Sequence, residues 1–178
     1  MAQSAPLSSV SPRVEVRHGS RLRVADNAVL DVPGLYLNVT GGEYRQEGGT
    51  AAFRFVHGTI NSPNDVAPEA PAKIVLDGGN LSFADSSMFT YLGFRSTETI
   101  INGGHLKAKR VNFSKSLVDR QNPLLTHTLD LNGGVLEADE IRYDGGTSSV
   151  EPAFVRFNGG TLKVAQTSTA TNNFVSFN

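Results

Sequence analysis

The chain contains no cysteine, which excludes disulfides and thiolate metal sites. No apolar run approaches the roughly 20 residues that a membrane-spanning helix needs. Lys and Arg number 16 against 17 Asp and Glu, a formal net charge of −1, so there is no bulk attraction to nucleic acid or anionic lipid. No window of about 11 residues or more repeats with helical period; at most a short helix is expected near Asp85 to Phe94. The first ten residues, Met1 to Val10, lack the charged and apolar regions of a secretory signal. Ala2-Gln3-Ser4-Ala5-Pro6 instead looks like the start of a mature exported protein behind an initiator Met.

What the chain has is glycine, 18 of 178 residues, with 39% apolar residues. The glycines punctuate a repeat. Thr128-Leu129-Asp130-Leu131-Asn132-Gly133-Gly134-Val135-Leu136-Glu137-Ala138 has near-copies at Lys73 to Phe83, Thr99 to Ala108 and Val155 to Val164. Each reads as two short alternating strands joined at a Gly-Gly corner. Weaker corners are read at His18-Gly19-Ser20, Gly41-Gly42 and His57-Gly58. With Ser20, Gly42, Gly58, Gly79, Gly104, Gly134 and Gly160 as markers, successive steps are about 22, 16, 21, 25, 30 and 26 residues. Their mean is near one turn of a β-solenoid, and unequal loops account for the spread. Proline-rich Ser62 to Ala72 and Ser116 to Thr126 read as protruding loops. Residues 1–12 read as a flexible lead-in, and 13–178 as a single β-helix domain. Phe174-Val175-Ser176-Phe177-Asn178 matches Phe154 to Asn158 and stops where Gly-Gly would follow, so truncation at that end is expected.

Side chains alternate across a strand. The inward positions before the corner are then Val39, Phe55, Leu76, Ile101, Leu131, Phe157 and Phe177. Those after it are Leu22, Tyr44, Ile60, Leu81, Leu106, Leu136 and Leu162. Stacked coils line these up as two inner ladders, each buried Leu or Phe contributing roughly 1.5–3 kcal/mol. The residue before each Gly-Gly is Asp77, Asn102, Asn132, Asn158 or Asn178; such side chains in register can form a hydrogen-bonded ladder, or simply suit turns. Charge gives a second register: Lys107, Glu137 and Lys163 fall at matching places and should form an exposed cross-coil ladder. Strands that repeat one direction per coil are parallel, and parallel crossovers are right-handed. The expected fold is all-β: a right-handed parallel β-helix of about six to seven irregular coils.

The motif Asn158-Gly159-Gly160-Thr161-Leu162-Lys163-Val164 resembles the autotransporter-associated β-strand repeats of bacterial surface proteins, over roughly Leu35 to Asn178. The resemblance implies a secreted or cell-surface passenger region that presents loops or acts as a stalk, in an adhesin-like role. The structural corners are then Asp77, Gly78, Gly79, Asn102, Gly103, Gly104, Asn132, Gly133, Gly134, Asn158, Gly159 and Gly160. Lys107, Lys109, Arg110 and Lys115 could contact an anionic glycan, although a solvated, ion-paired face is the preferred account of them. Partners would be a glycan or host-surface ligand, or a second copy stacked end to end. No cofactor, metal or catalytic residue is assigned. A β-helix can carry a polysaccharide lyase or hydrolase site, as in pectate-lyase-like enzymes or tail-spike-like modules. Asp139, Glu140 and Asp144, or Asp77 with Asp85, are the carboxylates to consider. Each has a plain structural reading as a corner, turn or ion-pair residue. The histidines His18, His57, His105 and His127 show no metal-ligand spacing.

Overall fold

The computed structural model describes residues 13–17, 19–31, 36–40, 42–53, 55–58, 72–83, 88–92, 97–115, 127–144, 153–164 and 175–177. Among these there are 17 strands and no helix, and every strand pairing is parallel. The chain is an all-β parallel β-helix. The short helix expected near Asp85 to Phe94 is replaced, in its described part, by the strand Met88–Leu92. Its five residues Met-Phe-Thr-Tyr-Leu are mostly β-formers.

Each coil has three walls, one more than the sequence suggested. The first is a six-stranded sheet ordered β15 (Ala153–Phe157), β13 (His127–Leu131), β11 (Thr97–Ile101), β8 (Ala72–Leu76), β5 (Glu43–Gln46), β2 (Arg21–Val24). The second stacks β3 (Val29–Asp31), β6 (Thr50–Phe53) and β9 (Asn80–Phe83), then the starts of β12 (His105–Lys115) and β14 (Val135–Asp144), then β16 (Thr161–Val164). The third stacks β1 (Arg13–Arg17), β4 (Tyr36–Thr40), β7 (Phe55–Gly58), β10 (Met88–Leu92), the ends of β12 and β14, and β17 (Val175–Phe177). Because β12 and β14 run around the corner between the second and third walls, the two walls form one continuous 11-stranded sheet. The bend is visible in burial. Leu106, Ala108 and Val111 are buried, so the inward phase slips by one residue at Lys109-Arg110.

The register on the second wall runs Thr50, Asn80, His105, Val135, Thr161, so successive coils take 30, 25, 30 and 26 residues. This corrects the early corners. The counterpart of Gly79 in the preceding coil is Gly49, in the corner Glu47-Gly48-Gly49, where Asn80 N–H donates to Gly49 O. Gly42 and Ser20 instead precede first-wall strands, and Gly58 ends a third-wall strand. The first coil turns at Ala25-Asp26-Asn27-Ala28, with Asn27 in the left-handed region at φ 63°. Leu22 and Tyr44 therefore belong to the first-wall ladder with Ile74, Thr99, Leu129 and Val155, not to the Leu81 ladder. Val39 and Phe55 lie in third-wall strands. So does Phe177, opposite Tyr143 rather than Phe157. Ile60, Asn178, the lead-in 1–12 and the loop segments 62–71 and 116–126 lie outside the described residues.

One core fills the space between the walls. Leu76, Ile101 and Leu131 stack on the first wall, Leu81, Leu106 and Leu136 on the second, and Val111 and Ile141 close it from the third. The next second-wall column changes size along the axis. Phe53 stacks on Phe83 with ring centroids 6.3 Å apart, and Tyr44 meets Phe53 edge-on at 5.6 Å. Ala108 and Ala138 continue the column. The position equivalent to Leu76 holds Gln46, fully buried. Its Oε1 accepts from the Tyr44 hydroxyl at 2.8 Å, and its Nε2 donates to Asn80 O at 2.9 Å and Gly49 O at 3.3 Å. The polar groups are mutually satisfied, as burial requires, and burial pushes the Tyr44 phenol up.

Candidate functional site

Among the described residues, the charged and amide side chains with printed partners lie on the corner edge and on the outer faces of the first two walls. At the corner, Asn102 Nδ2 donates to Asp77 Oδ1 at 2.8 Å, Asn132 to Asn102 Oδ1 at 2.9 Å, and Asn158 to Asn132 Oδ1 at 2.8 Å. All three amides point the same way, and the anion Asp77 closes the series. Asp77 in turn meets Arg45 at 2.6 Å. Beneath the ladder the corners pack backbone on backbone. Gly134 has φ +69°, and a Cβ there would sit 2.5 Å from Gly104 O. Only glycine meets both demands. The assigned corner residues Asp77 to Gly79, Asn102 to Gly104, Asn132 to Gly134 and Asn158 to Gly160 thus form one continuous edge.

On the first wall an outward column runs Arg21, Glu43, Lys73, Glu98, alternating in sign from coil to coil. Arg21 meets Glu43 at 3.0 Å and Lys73 meets Glu98 at 2.8 Å. Arg23 pairs with Glu47, and Arg156 forks onto Asp130, with Nη2 2.7 Å from Oδ2. On the second wall Glu137 faces outward between Lys107 and Lys163. Its Oε1 is 2.8 Å from Lys107 Nζ, and its Oε2 is 2.9 Å from Lys163 Nζ. His105 Nε2 comes within 3.2 Å of the same Oε2. The ladder expected to be exposed is exposed only at its lysines: they cover Glu137, whose side chain is 7% accessible. Hydrogen bonds from Lys107 and then Lys163 hold the Glu137 carboxyl down to about 2. A carboxyl so held stays ionised near neutrality and is a poor general acid there.

The four basic residues considered for a glycan, Lys107, Lys109, Arg110 and Lys115, all lie on β12. Lys107 is engaged by Glu137, and Lys109 is exposed beside the bend. Lys115 ends β12 on the third wall, opposite Leu92. The side chains of Arg110 and Lys115 lie outside the described residues. Of the carboxylates considered for catalysis, Asp139 and Glu140 are half-buried at the bend of β14. Asp77 belongs to the corner ladder, and Asp85 and the side chain of Asp144 lie outside the described residues. Among the described residues no group of three or more His, Asp or Glu could hold a metal. Of the histidines, only His105 has a described side chain.

Two features escaped sequence reasoning. Gln46 was given no place in the sequence-derived ladders, yet it fills an inner rung. Glu47-Gly48-Gly49 carries its own signal, an acid before Gly-Gly followed by the alternation Ala51, Phe53. The nearby Gly41-Gly42 displaced it. No protein-family model matches the chain, and neither curated proteins nor solved structures give a significant match.

Proposed function

We propose that the chain is a non-enzymatic structural segment: a β-solenoid of the bacterial surface-protein type that carries loops for binding and acts as a stalk. The observation that carries this reading is where the charged side chains go. Arg21–Glu43, Arg45–Asp77, Lys73–Glu98, Lys107–Glu137–Lys163 and Asp130–Arg156 each join one coil to the next. Catalytic sites hold carboxylates and cations poised toward a substrate cleft with shifted protonation. Here the charges face each other along the axis and fix the stacking. The autotransporter-like Asn-Gly-Gly motif supports export and surface display, with loops as the variable, ligand-facing parts.

The discriminating experiment is turnover of a panel of polyuronates and neutral polysaccharides, with and without calcium and with chelator. The expected result is no turnover in any condition and the same melting temperature with and without chelator. Depolymerisation that disappears in Asp139→Asn or Asp144→Asn would replace the scaffold reading with the enzymatic one.

A further inference from the structure

Asparagine followed by glycine is the dipeptide most prone to spontaneous loss of its side-chain amide, because glycine has no Cβ to hinder its attacking nitrogen. The sequence contains it at Asn102-Gly103, Asn132-Gly133 and Asn158-Gly159, and each copy stands in the corner ladder. These asparagines are exposed, so exclusion of water does not protect them. In the reaction the glycine backbone nitrogen bonds to the asparagine Cγ and gives up its proton. Ammonia departs with Nδ2, leaving a five-membered succinimide. Water then opens the ring at either carbonyl. One product is aspartate; the other is isoaspartate, whose main chain carries an extra methylene.

The stacked corner opposes the first step at three points. Gly103 N–H donates to Leu76 O at 3.2 Å, and Gly133 N–H to Ile101 O at 3.1 Å, so the nitrogen that would attack is engaged. Asn102 Nδ2 is held by Asp77 Oδ1 at 2.8 Å, and Asn132 Nδ2 by Asn102 Oδ1 at 2.9 Å, so the side chain is kept in the ladder. The glycine backbone also rests on the corner before it. A Cβ built at Gly103 would collide with Asp77 O, and one at Gly133 with Asn102 O. That packing leaves the peptide plane no room to turn. All three restraints come from the preceding coil, so they are released together when the two coils part.

We infer that Asn102 and Asn132, each with a described coil on both sides, are latent modification sites: they close to the succinimide only while their coil is open, and the products keep that coil from stacking again. An acid at position 102 would face Asp77, acceptor against acceptor, with no donor between them. An acid at position 132 would lose its bond to Asn102 Oδ1 in the same way. Isoaspartate is worse, because it lengthens the main chain where even a Cβ does not fit. Asp77 is tolerated because it only accepts in the ladder and its charge is met by Arg45 at 2.6 Å. Coil opening is therefore reversible until a corner reacts, and one-way afterwards. The inference goes beyond the scaffold reading and does not rest on it.

The test holds the 178-residue chain warm in mildly alkaline buffer, folded and in guanidinium chloride, and measures aspartate and isoaspartate at positions 102 and 132 by peptide mapping. Conversion in the folded chain should be slower by at least about a hundredfold, because it waits on local opening. Hydrogen exchange at the Gly103 and Gly133 amides of the same unaltered protein reports that opening. The slowing at each site should equal its exchange protection within about threefold. Equal conversion in the folded and unfolded chain overturns the inference, as does slowing that ignores exchange protection. For the second half, chain converted in guanidinium chloride is refolded. The converted molecules should regain no protection in the strands flanking the altered corner, and Asn132→Asp should melt below the parent. Converted chain that recovers the parent's melting temperature and protection overturns the one-way step. These readouts are mass, exchange and melting, so they leave the turnover assay to decide the scaffold reading alone.

Discussion

At the scale of single residues, two kinds of position decide whether a coil can stack. The first is the second corner glycine. Gly134 has φ +69° and a prospective Cβ contact of 2.5 Å with Gly104 O, while Gly19 has the same φ of +69° with nothing within 4 Å. The pair separates backbone strain from steric collision. Gly19→Ala should cost about 1–2 kcal/mol, the penalty of a left-handed L-residue. Gly134→Ala adds a backbone clash that a packed corner cannot relieve, and should cost about 3–5 kcal/mol. Urea melts of the two variants check this; equal losses would mean that the corners are not packed as described. The second kind is the inner rung. Thr99 stands between Ile74 and Leu129, 1% accessible, and its hydroxyl has no hydrogen-bond partner. Thr99→Val keeps the shape and removes a buried unsatisfied group. It should stabilise by about 1 kcal/mol, a rise in melting temperature of about 2–4 °C. A fall would show that the hydroxyl has a partner after all.

At the scale of elements, charge holds strands in register, and one column makes this measurable by pH. Glu137 sits at about 2 in the folded chain against an ordinary 4.5. A carboxyl depressed on folding adds stability that is complete above its unfolded value and lost as pH falls through its folded value. Melting temperature should therefore drop between about pH 4.5 and pH 2, and Glu137→Gln should flatten that part of the profile. The variant should be less stable than the parent at neutral pH and approach it near pH 2. Parallel profiles would place the acid sensitivity elsewhere. The same column shows how much the sequence disclosed. Lys107, Glu137 and Lys163 could be aligned from spacing alone, because the corners before them are intact Asn-Gly-Gly. The inner rungs Leu81, Leu106, Leu136 and Leu162 were legible because each follows an intact Asp- or Asn-Gly-Gly corner. The third wall was not, because its strands follow no fixed corner and the connecting segments differ in length. In the early coils the alignment slipped by an entire wall. Gly41-Gly42 and Gly48-Gly49 are only seven residues apart, and a local pattern cannot tell which glycine pair turns which corner. Gln46 was unreadable for another reason: burial of an amide depends on Tyr44, Gly49 and Asn80 meeting in space. Of the residues considered for binding, Lys107 to Lys115 are close in sequence, but the bend in β12 carries them from one wall to the next.

At the scale of the whole molecule, stacking makes stability one-dimensional. Each coil touches only its neighbours, so resistance to opening is set by intrinsic coil terms plus interfaces. Among the described strands, inner first-wall strands β8 and β11 are bonded on both sides, whereas β2 and β15 are bonded on one. The middle coils also hold the fully buried rungs Leu76, Leu81, Ile101 and Leu106, while Phe157 is left open. Amide hydrogen exchange should therefore be slowest in β8, β9, β11 and the start of β12, and faster towards β2 and β15, because end coils can open without the centre. Gly134→Ala sharpens the test. It damages the corner of the coil next to the last, so it should speed exchange in β13 to β16 while β5 to β9 keep their protection. A cooperative globule would respond differently, with every core amide losing protection together. Uniform acceleration would thus show that the coils do not act as separable units. A graded response, steepest beyond Gly134, would show that the Gly-Gly corners are where one coil is coupled to the next.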